Sequence, residues 1–265
     1  MQPLNNWLKN NHLLNFSNFV NVLFEQKCLL CDANIDALQP QASNWLPQFA
    51  KPLKWQAKCE VSSPQNIPAK AGYSYVKPNI HAVCRACLND LPWQPKTACP
   101  QCGLESDGNL CGSCLSNPPD FDATHAVFLY SFPSDAMMLR YKYGNMLNLS
   151  NTFGQFLSDK VALSALNCHV DLIIPMPMHP ARIKERGFNQ AHEIAKVLCK
   201  SHPSNNHKEK FDYKSAQRQK LTPPQASLPL KERVKNIKGA FKVNDDLSGK
   251  RIAIVDDVMT TGASL

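Results

Sequence analysis

No stretch of this sequence approaches the ~20 consecutive apolar residues that a bilayer-spanning helix requires, which argues against a membrane protein. The amino terminus has asparagines, Asn5 and Asn6, where a secretory leader needs Lys or Arg, and it shows no clear cleavage site. Together these absences point to the cytoplasm. Glycine is scarce, 10 residues against 20 prolines in a chain of 265, a balance that implies stiff, irregular segments. Acid is also in the minority, with 21 Asp and Glu against 29 Lys and Arg, for a net charge of +8. The shortfall is uneven: residues 182–251 hold 17 Lys and Arg against 7 Asp and Glu, a difference of +10. Such a region is either a solvated basic face or an attractor of phosphate-rich substrates or nucleic acid. The apolar fraction, 43%, is enough for a core in part of the chain, and the length allows one large domain or two modest ones.

Cysteine is abundant by comparison, with 11 residues. Disulfide scaffolds are small and secreted, and the spacing argues for metal instead. Four C-x-x-C pairs occur, Cys28/Cys31, Cys84/Cys87, Cys99/Cys102 and Cys111/Cys114. Each pair forms a knuckle that aims two thiolates at one point, and Zn²⁺ takes four such ligands as a tetrahedron. Four knuckles therefore make two Cys₄ zinc sites. Sequential pairing is the simplest arrangement, and an interleaved cross-brace is the alternative. Gly103, Gly108 and Gly112 near the last two knuckles give that part the look of a compact zinc ribbon. A redox role for C-x-x-C would need a thioredoxin-like βαβ context, which is missing here. Each metal supplies on the order of 10 kcal/mol of folding free energy, so such a module stands without much core.

Around the knuckles, residues 7–24 repeat apolar side chains at helical intervals and read as a short amphipathic helix that packs on the next module. Residues 36–77, with Pro40, Pro47, Pro52, Pro64 and Pro68, read as a long loop inserted into the first zinc unit. Cys59 in that loop has no second thiol beside it and reads as a bystander.

Pro118 and Pro119 mark a boundary, after which the pattern becomes α/β. Residues 124–130 read as a strand, the apolar spacing from Phe153 to Ala165 as a helix, and 171–175 as a buried strand. A loop follows at that strand's carboxyl end, with Arg182 and Arg186 able to hold a diphosphate bidentately. A cis Met176–Pro177 bond would turn this loop, and His179 is either an acid or base or a structural residue. Ala191, Ile194, Ala195 and Leu198 continue as a helix on the sheet. Arg218, Arg233 and Asn236 fall in a basic stretch that is either a mobile loop over a substrate or a solvated linker.

The most informative stretch is the last. Ile252 to Val255 is short, β-branched and bare of Gly and Pro, and reads as a buried strand of a parallel sheet. Asp256 and Asp257 stand at its carboxyl end, where ligands bind in open α/β sheets. They suit two vicinal ribose hydroxyls, or Mg²⁺ with its water shell. Thr260, Thr261, Gly262, Ala263 and Ser264 can turn backbone N–H groups around a phosphate, with hydroxyls adding donors and Gly262 permitting close approach.

This string resembles the signature of type I phosphoribosyltransferases. Taken with the knuckles, the R-G-F-N-Q string at Arg186 to Gln190 and the R-x-x-x-T-x-x-Q string from Arg218, the order of motifs resembles the ComF family, also called GntX-like. The resemblance implies an α/β fold with a type I phosphoribosyltransferase-like parallel sheet, preceded by a small double zinc ribbon. The implied division is a helix over 1–27, the zinc module over 28–117 and the phosphoribosyltransferase-like domain over 118–265. The family's phosphate-capping helix and a further strand would follow Leu265, so the expected domain is a truncated one. The implied ligand is phosphoribosyl pyrophosphate with Mg²⁺: Asp256 and Asp257 on the ribose, Thr260 to Ser264 on the 5-phosphate, and Arg182 and Arg186 toward the pyrophosphate, with Arg218 a further substrate-binding residue. Phosphoribosyl transfer would break the C1–O bond as positive charge grows on the ring. The implied setting is natural transformation or use of DNA as a nutrient, with single-stranded DNA and the DNA-uptake and helicase machinery as partners. A second reading makes the protein a non-catalytic single-stranded-DNA-binding accessory factor that keeps the fold as a scaffold.

Overall fold

The computed structural model describes residues 27–35, 82–163, 170–201, 211–222, 235–259 and Gly262. The expected helix over 7–24, the insertion with Cys59, and Arg233, Thr260, Thr261, Ala263 and Ser264 lie outside the described residues.

The chain enters through two small cysteine units. In the first, Cys28 and Cys31 face Cys84 and Cys87; in the second, Cys99 and Cys102 face Cys111 and Cys114. Pairing is therefore sequential, as the simplest reading of the spacing has it. Each unit ends in a single helical turn and a half, α1 (Arg85–Asn89) and α2 (Gly112–Ser116), with Cys84 and Cys111 as the respective N-cap residues. The cap cysteines direct their own backbone N–H groups to a thiol across the unit, Cys84 to Cys28 Sγ at 3.2 Å and Cys111 to Cys99 Sγ at 3.4 Å.

Residues 124–130 do not form the expected strand. A single antiparallel bridge joins Phe128 to Trp93, flanked by bonds from Gln94 N to Val127 O and from Leu129 N to Pro92 O. Pro92 and Pro95 on the partner segment have no N–H to offer, which stops the ladder there. Trp93, Phe128 and Phe156 then stack as an aromatic trio, with ring centroids 4.8, 5.6 and 5.3 Å apart, and carry the chain onto the α/β unit.

That unit comprises α3 (Ser134–Tyr143), α4 (Leu149–Leu163), β1 (Leu172–Pro175), α5 (Pro180–Arg186), α6 (Gln190–Ser201), β2 (Ala216–Arg218), β3 (Phe241–Val243) and β4 (Ile252–Val255). β1 and β4 are parallel, in the register Leu172↔Ile252 through Pro175↔Val255. Phe211 adds one parallel bridge to Ile173 on the other edge of β1. The parallel sheet expected from the two apolar runs is present, although β4 is less buried than expected. Val255 is buried, while Ile252 and Ile254, on the opposite face of β4, are exposed. β2 and β3 form a separate antiparallel pair, so Arg218 stands in a strand rather than in a mobile loop.

α6 seals the other face of the sheet. Its stripe Ala191, Ile194, Ala195 and Leu198 is buried, as the helical period requires. α4 backs it, and Gly154 makes the approach possible: a Cβ there would lie 2.5 Å from that of Val197. The core formed by Tyr141, Phe153, Phe156, Ile173, Ile194 and Val255 is continuous with Cys28, Val83 and Leu91 of the first cysteine unit. No helix among the described residues is long and apolar enough to cross a membrane.

Candidate functional site

Parallel pairing puts the carboxyl ends of β1 and β4 side by side. Met176 N extends the ladder by one bond, to Val255 O at 2.8 Å. Beyond it the two strands part, one leading into α5 and the other into Asp256 and Asp257.

The α5 side is built by capping. Pro180 occupies the first turn, where its missing N–H costs nothing. His179 is the N-cap, its Nδ1 accepting from Ala181 N at 3.2 Å, which gives this histidine a structural role at the start of α5. Met176–Pro177 is trans; among the described residues the cis bond is Phe132–Pro133. The R-G-F-N-Q string resolves residue by residue. Gly187 ends α5 at φ 82 in the left-handed region. Phe188 packs on Tyr141 with centroids 5.3 Å apart. Asn189 caps α6, accepting from His192 N, and its amide donates to Met176 O at 3.0 Å, which ties the β1 loop to the helix. Gln190 is fully buried, and its carbonyl accepts from the Tyr141 hydroxyl at 3.0 Å.

The charged groups meet at this edge. Lys142, from α3, lies 3.0 Å from Asp257 Oδ1, with the two side chains only 16% and 13% exposed. Asp257 N donates to Asp256 Oδ1 at 2.8 Å. Asp256 keeps contact with solvent, yet burial within the surrounding protein and the like charge of Asp257 raise its pKa to about 7, against the pull of Lys142 and Arg218. Arg218 has its pKa lowered, first by burial; Asp256 opposes that and Arg182 adds to it. Its guanidinium lies over the Phe241 ring at 5.3 Å and donates to Thr222 Oγ1 at 2.5 Å.

Of the residues singled out from sequence, Asp256, Asp257, Arg182 and Arg218 thus share one electrostatic neighbourhood. Arg182 is also bridged to Glu185 at 2.6 Å along α5. Arg186 is turned to one side, donating to Gln190 Oε1 and the Tyr143 hydroxyl at 3.3 Å each, with its guanidinium over the Tyr143 ring. Gly262 has φ 70, and a Cβ added there would come within 3.0 Å of the Phe121 ring and 3.1 Å of Met259. Lys142 and Tyr143 have no role in the sequence reading. They lie far from both motifs along the chain, and only helix α3 brings them in.

The cysteine units can hold metal. In each, the four sulfur atoms all lie within 4.8 Å of one another. Burial opposes ionisation of Cys28, but N–H groups from Cys84, Leu30 and Cys31 win and bring its pKa down to about 7. At Cys99, likewise against burial, N–H groups from Cys102, Cys111 and Gln101 bring it to about 6. Burial and the adjacent thiols push Cys114 up to about 12 and raise Cys87 as well. Four soft sulfur ligands converging on a point are the donor set of a tetrahedral site and could hold zinc.

No family model and no solved structure matches the chain. Curated proteins do. The chain is 30% identical over 192 residues to DNA utilization protein YhgH of Escherichia coli strain CFT073, covering 70% of the chain and 80% of that protein. It is 29% identical over 201 residues to Competence protein F of Haemophilus influenzae, covering 71% and 84%. With Competence protein ComFC of Bacillus subtilis the identity is 24%, over 245 residues, 90% of the chain and 85% of that protein.

Proposed function

Because the chain belongs to the ComF-like family, we propose that it acts in DNA uptake or utilisation and that its β1–β4 edge binds phosphoribosyl pyrophosphate. One observation carries the ligand assignment: the parallel pair β1–β4 sets Asp256 and Asp257 beside the loop that leads to Arg182, and Arg218, from the neighbouring antiparallel pair, interacts electrostatically with both Asp256 and Arg182. Carboxylates beside guanidinium groups suit a ligand that offers hydroxyl donors at one end and phosphate oxygens at the other. Asp256 and Asp257 accept from the ribose hydroxyls. Arg182 and Arg218 take the pyrophosphate. Gly262, at positive φ in the small hydroxyl-rich turn, brings the backbone close to the 5-phosphate. Arg186 serves the site indirectly, fixing Tyr143 and the start of α6. The two cysteine units each hold a structural zinc ion.

Calorimetry on zinc-loaded full-length protein tests this reading. Saturable binding of phosphoribosyl pyrophosphate that Asp256→Asn and Asp257→Asn both abolish is expected, and absence of binding by the unaltered protein rejects it.

A second reading, a scaffold for single-stranded DNA, is favoured by a separate feature. Leu139, Arg140 and Tyr143 lie on one exposed face of α3, and Phe132, 79% exposed, stands just ahead of it. Open rings beside guanidinium groups are the parts of a base-stacking surface. Binding of an unstructured oligonucleotide that weakens steeply with salt and is lost in Tyr143→Ala is expected; affinity indifferent to both removes this reading.

A further inference from the structure

The family resemblance places a magnesium ion at the acidic pair, and the donor set does not fit one at Asp257. A pair of aspartates that serves Mg²⁺ must leave its oxygens to the metal's octahedral shell or to the waters in it. Asp257 instead holds the ammonium of Lys142 at 3.0 Å, in a spot where both side chains are largely shielded. The neighbouring carboxylate is also engaged, accepting from Asp257 N. Lys142 is no passing surface lysine. Tyr141 before it is fully buried and bonded through its hydroxyl to Gln190 O. Tyr143 after it is held by the Arg186 guanidinium. The backbone that carries Lys142 is pinned on both sides, and the ammonium is delivered to the carboxyl end of β4.

We propose that Lys142 is a ligand-binding residue that stands in for the divalent cation at this site. An ammonium has three N–H donors. One goes to Asp257, and the others face the ligand, so that a phosphorylated pentose binds without a metal bridge to the protein. Arg218 supplies the matching positive charge near Asp256. The inference rests on the pentose-phosphate reading of the edge and adds that recognition there is metal-independent.

The test uses zinc-loaded full-length protein and ribose 5-phosphate, which lacks the pyrophosphate that would itself capture magnesium. Affinity is measured with and without added magnesium chloride. The unaltered protein is expected to bind equally in both. Lys142→Met is expected to lose roughly tenfold or more without magnesium, the scale of one charge-assisted hydrogen bond, and to recover with it. Lys142→Arg should stay indifferent to the metal. A magnesium requirement in the unaltered protein, or unchanged binding by Lys142→Met, overturns the proposal. If the unaltered protein binds neither ribose 5-phosphate nor phosphoribosyl pyrophosphate, the pentose-phosphate reading fails. Electron paramagnetic resonance with Mn²⁺ then decides the role of Lys142 alone. A bound ion in Lys142→Met that is absent from the unaltered protein, and lost again on adding Asp257→Asn, supports the cation stand-in. Equal Mn²⁺ binding in both proteins rejects it.

Discussion

The two cysteine units are the same structure made twice and placed in different surroundings. Lys27 bridges Asn34 as Ala98 bridges Glu105. Cys28 N donates to Ala33 O as Cys99 N donates to Leu104 O, and Leu88 N reaches Cys84 O as Leu115 N reaches Cys111 O. Asp32 and Gly103 take the same left-handed turn, at φ 56 and 73. The closures differ. Cys31 meets Cys84 across 53 positions, whereas Cys102 meets Cys111 across 9. The first unit lies within the hydrophobic core, with Cys28, Val83 and Leu91 in its cluster. The second displays Leu104, Leu110 and Leu115 to solvent. It ties back through Gln101 to Phe121 and through Thr124 to Met259 and Gln101, which brings it to Gly262. The same clip thus anchors the fold in one place and braces the segment at Met259 and Gly262 in the other. A long closure also gains more from being pinned than a short one does.

The sharpest break of this comparison is removal of each metal in turn. Cys84→Ser with Cys87→Ser should abolish the cooperative unfolding transition, since zinc-linked folding energy on the order of 10 kcal/mol is then lost from a unit that shares the core. Cys111→Ser with Cys114→Ser should leave that transition in place. Denaturation followed by Trp93 fluorescence, with zinc content falling from two ions to one in each variant, distinguishes the two. Equal damage from both pairs would show that the units do the same job.

Next in size is Tyr141→Phe, which strands the buried Gln190 carbonyl and should cost about 1–3 kcal/mol in urea denaturation. It should leave the zinc content of both units unchanged.

The third expectation concerns pH. Asp256 has an ordinary pKa of 3.8 when unfolded and about 7 in the fold. The folded chain therefore binds the extra proton between these values, and the stability this group contributes falls as pH rises through that window. Affinity for phosphoribosyl pyrophosphate should move the opposite way, rising through neutrality as the carboxylate ionises. Asp256→Asn should flatten the stability profile.

Smallest is the exchange at the shared turn. Asp32→Gly should stabilise by about 0.5–1 kcal/mol, by relieving a left-handed conformation that glycine adopts freely. Gly103→Ala should destabilise instead, because its Cβ would meet Thr124 Cγ2 at 3.2 Å as well as the unfavourable φ. Matching signs would break the equivalence of the units.

Legibility in the sequence followed the range of the interaction. The knuckles, the apolar runs of β1 and β4, and the buried stripe of α6 were readable because each is encoded within a few neighbouring residues. The strand expected over 124–130 failed because its partner segment contains Pro92 and Pro95, and a ladder depends on both sides. The burial expected for Ile252 and Ile254 failed for the same reason, since an apolar run cannot say what will cover it. Asp256, Asp257, Arg182 and Arg218 could be picked out singly, by their position after strands or within a basic stretch. Lys142 could not, because a lysine in a helix looks like any solvated lysine until its neighbours are buried.

By itself the sequence determined which cysteines gather into sets that could hold metal and where most of the strands and helices fall, because thiol spacing and apolar periodicity are local properties. It also determined the family, through strings long enough to be specific. Only the tertiary structure decided that two cysteine units repeat one design, that Arg186 turns to Tyr143, and that Asp257 already has a cation. Those facts depend on which side chains meet after helices α3 and α6 pack, and a contact between residues 142 and 257 leaves no trace in either segment alone.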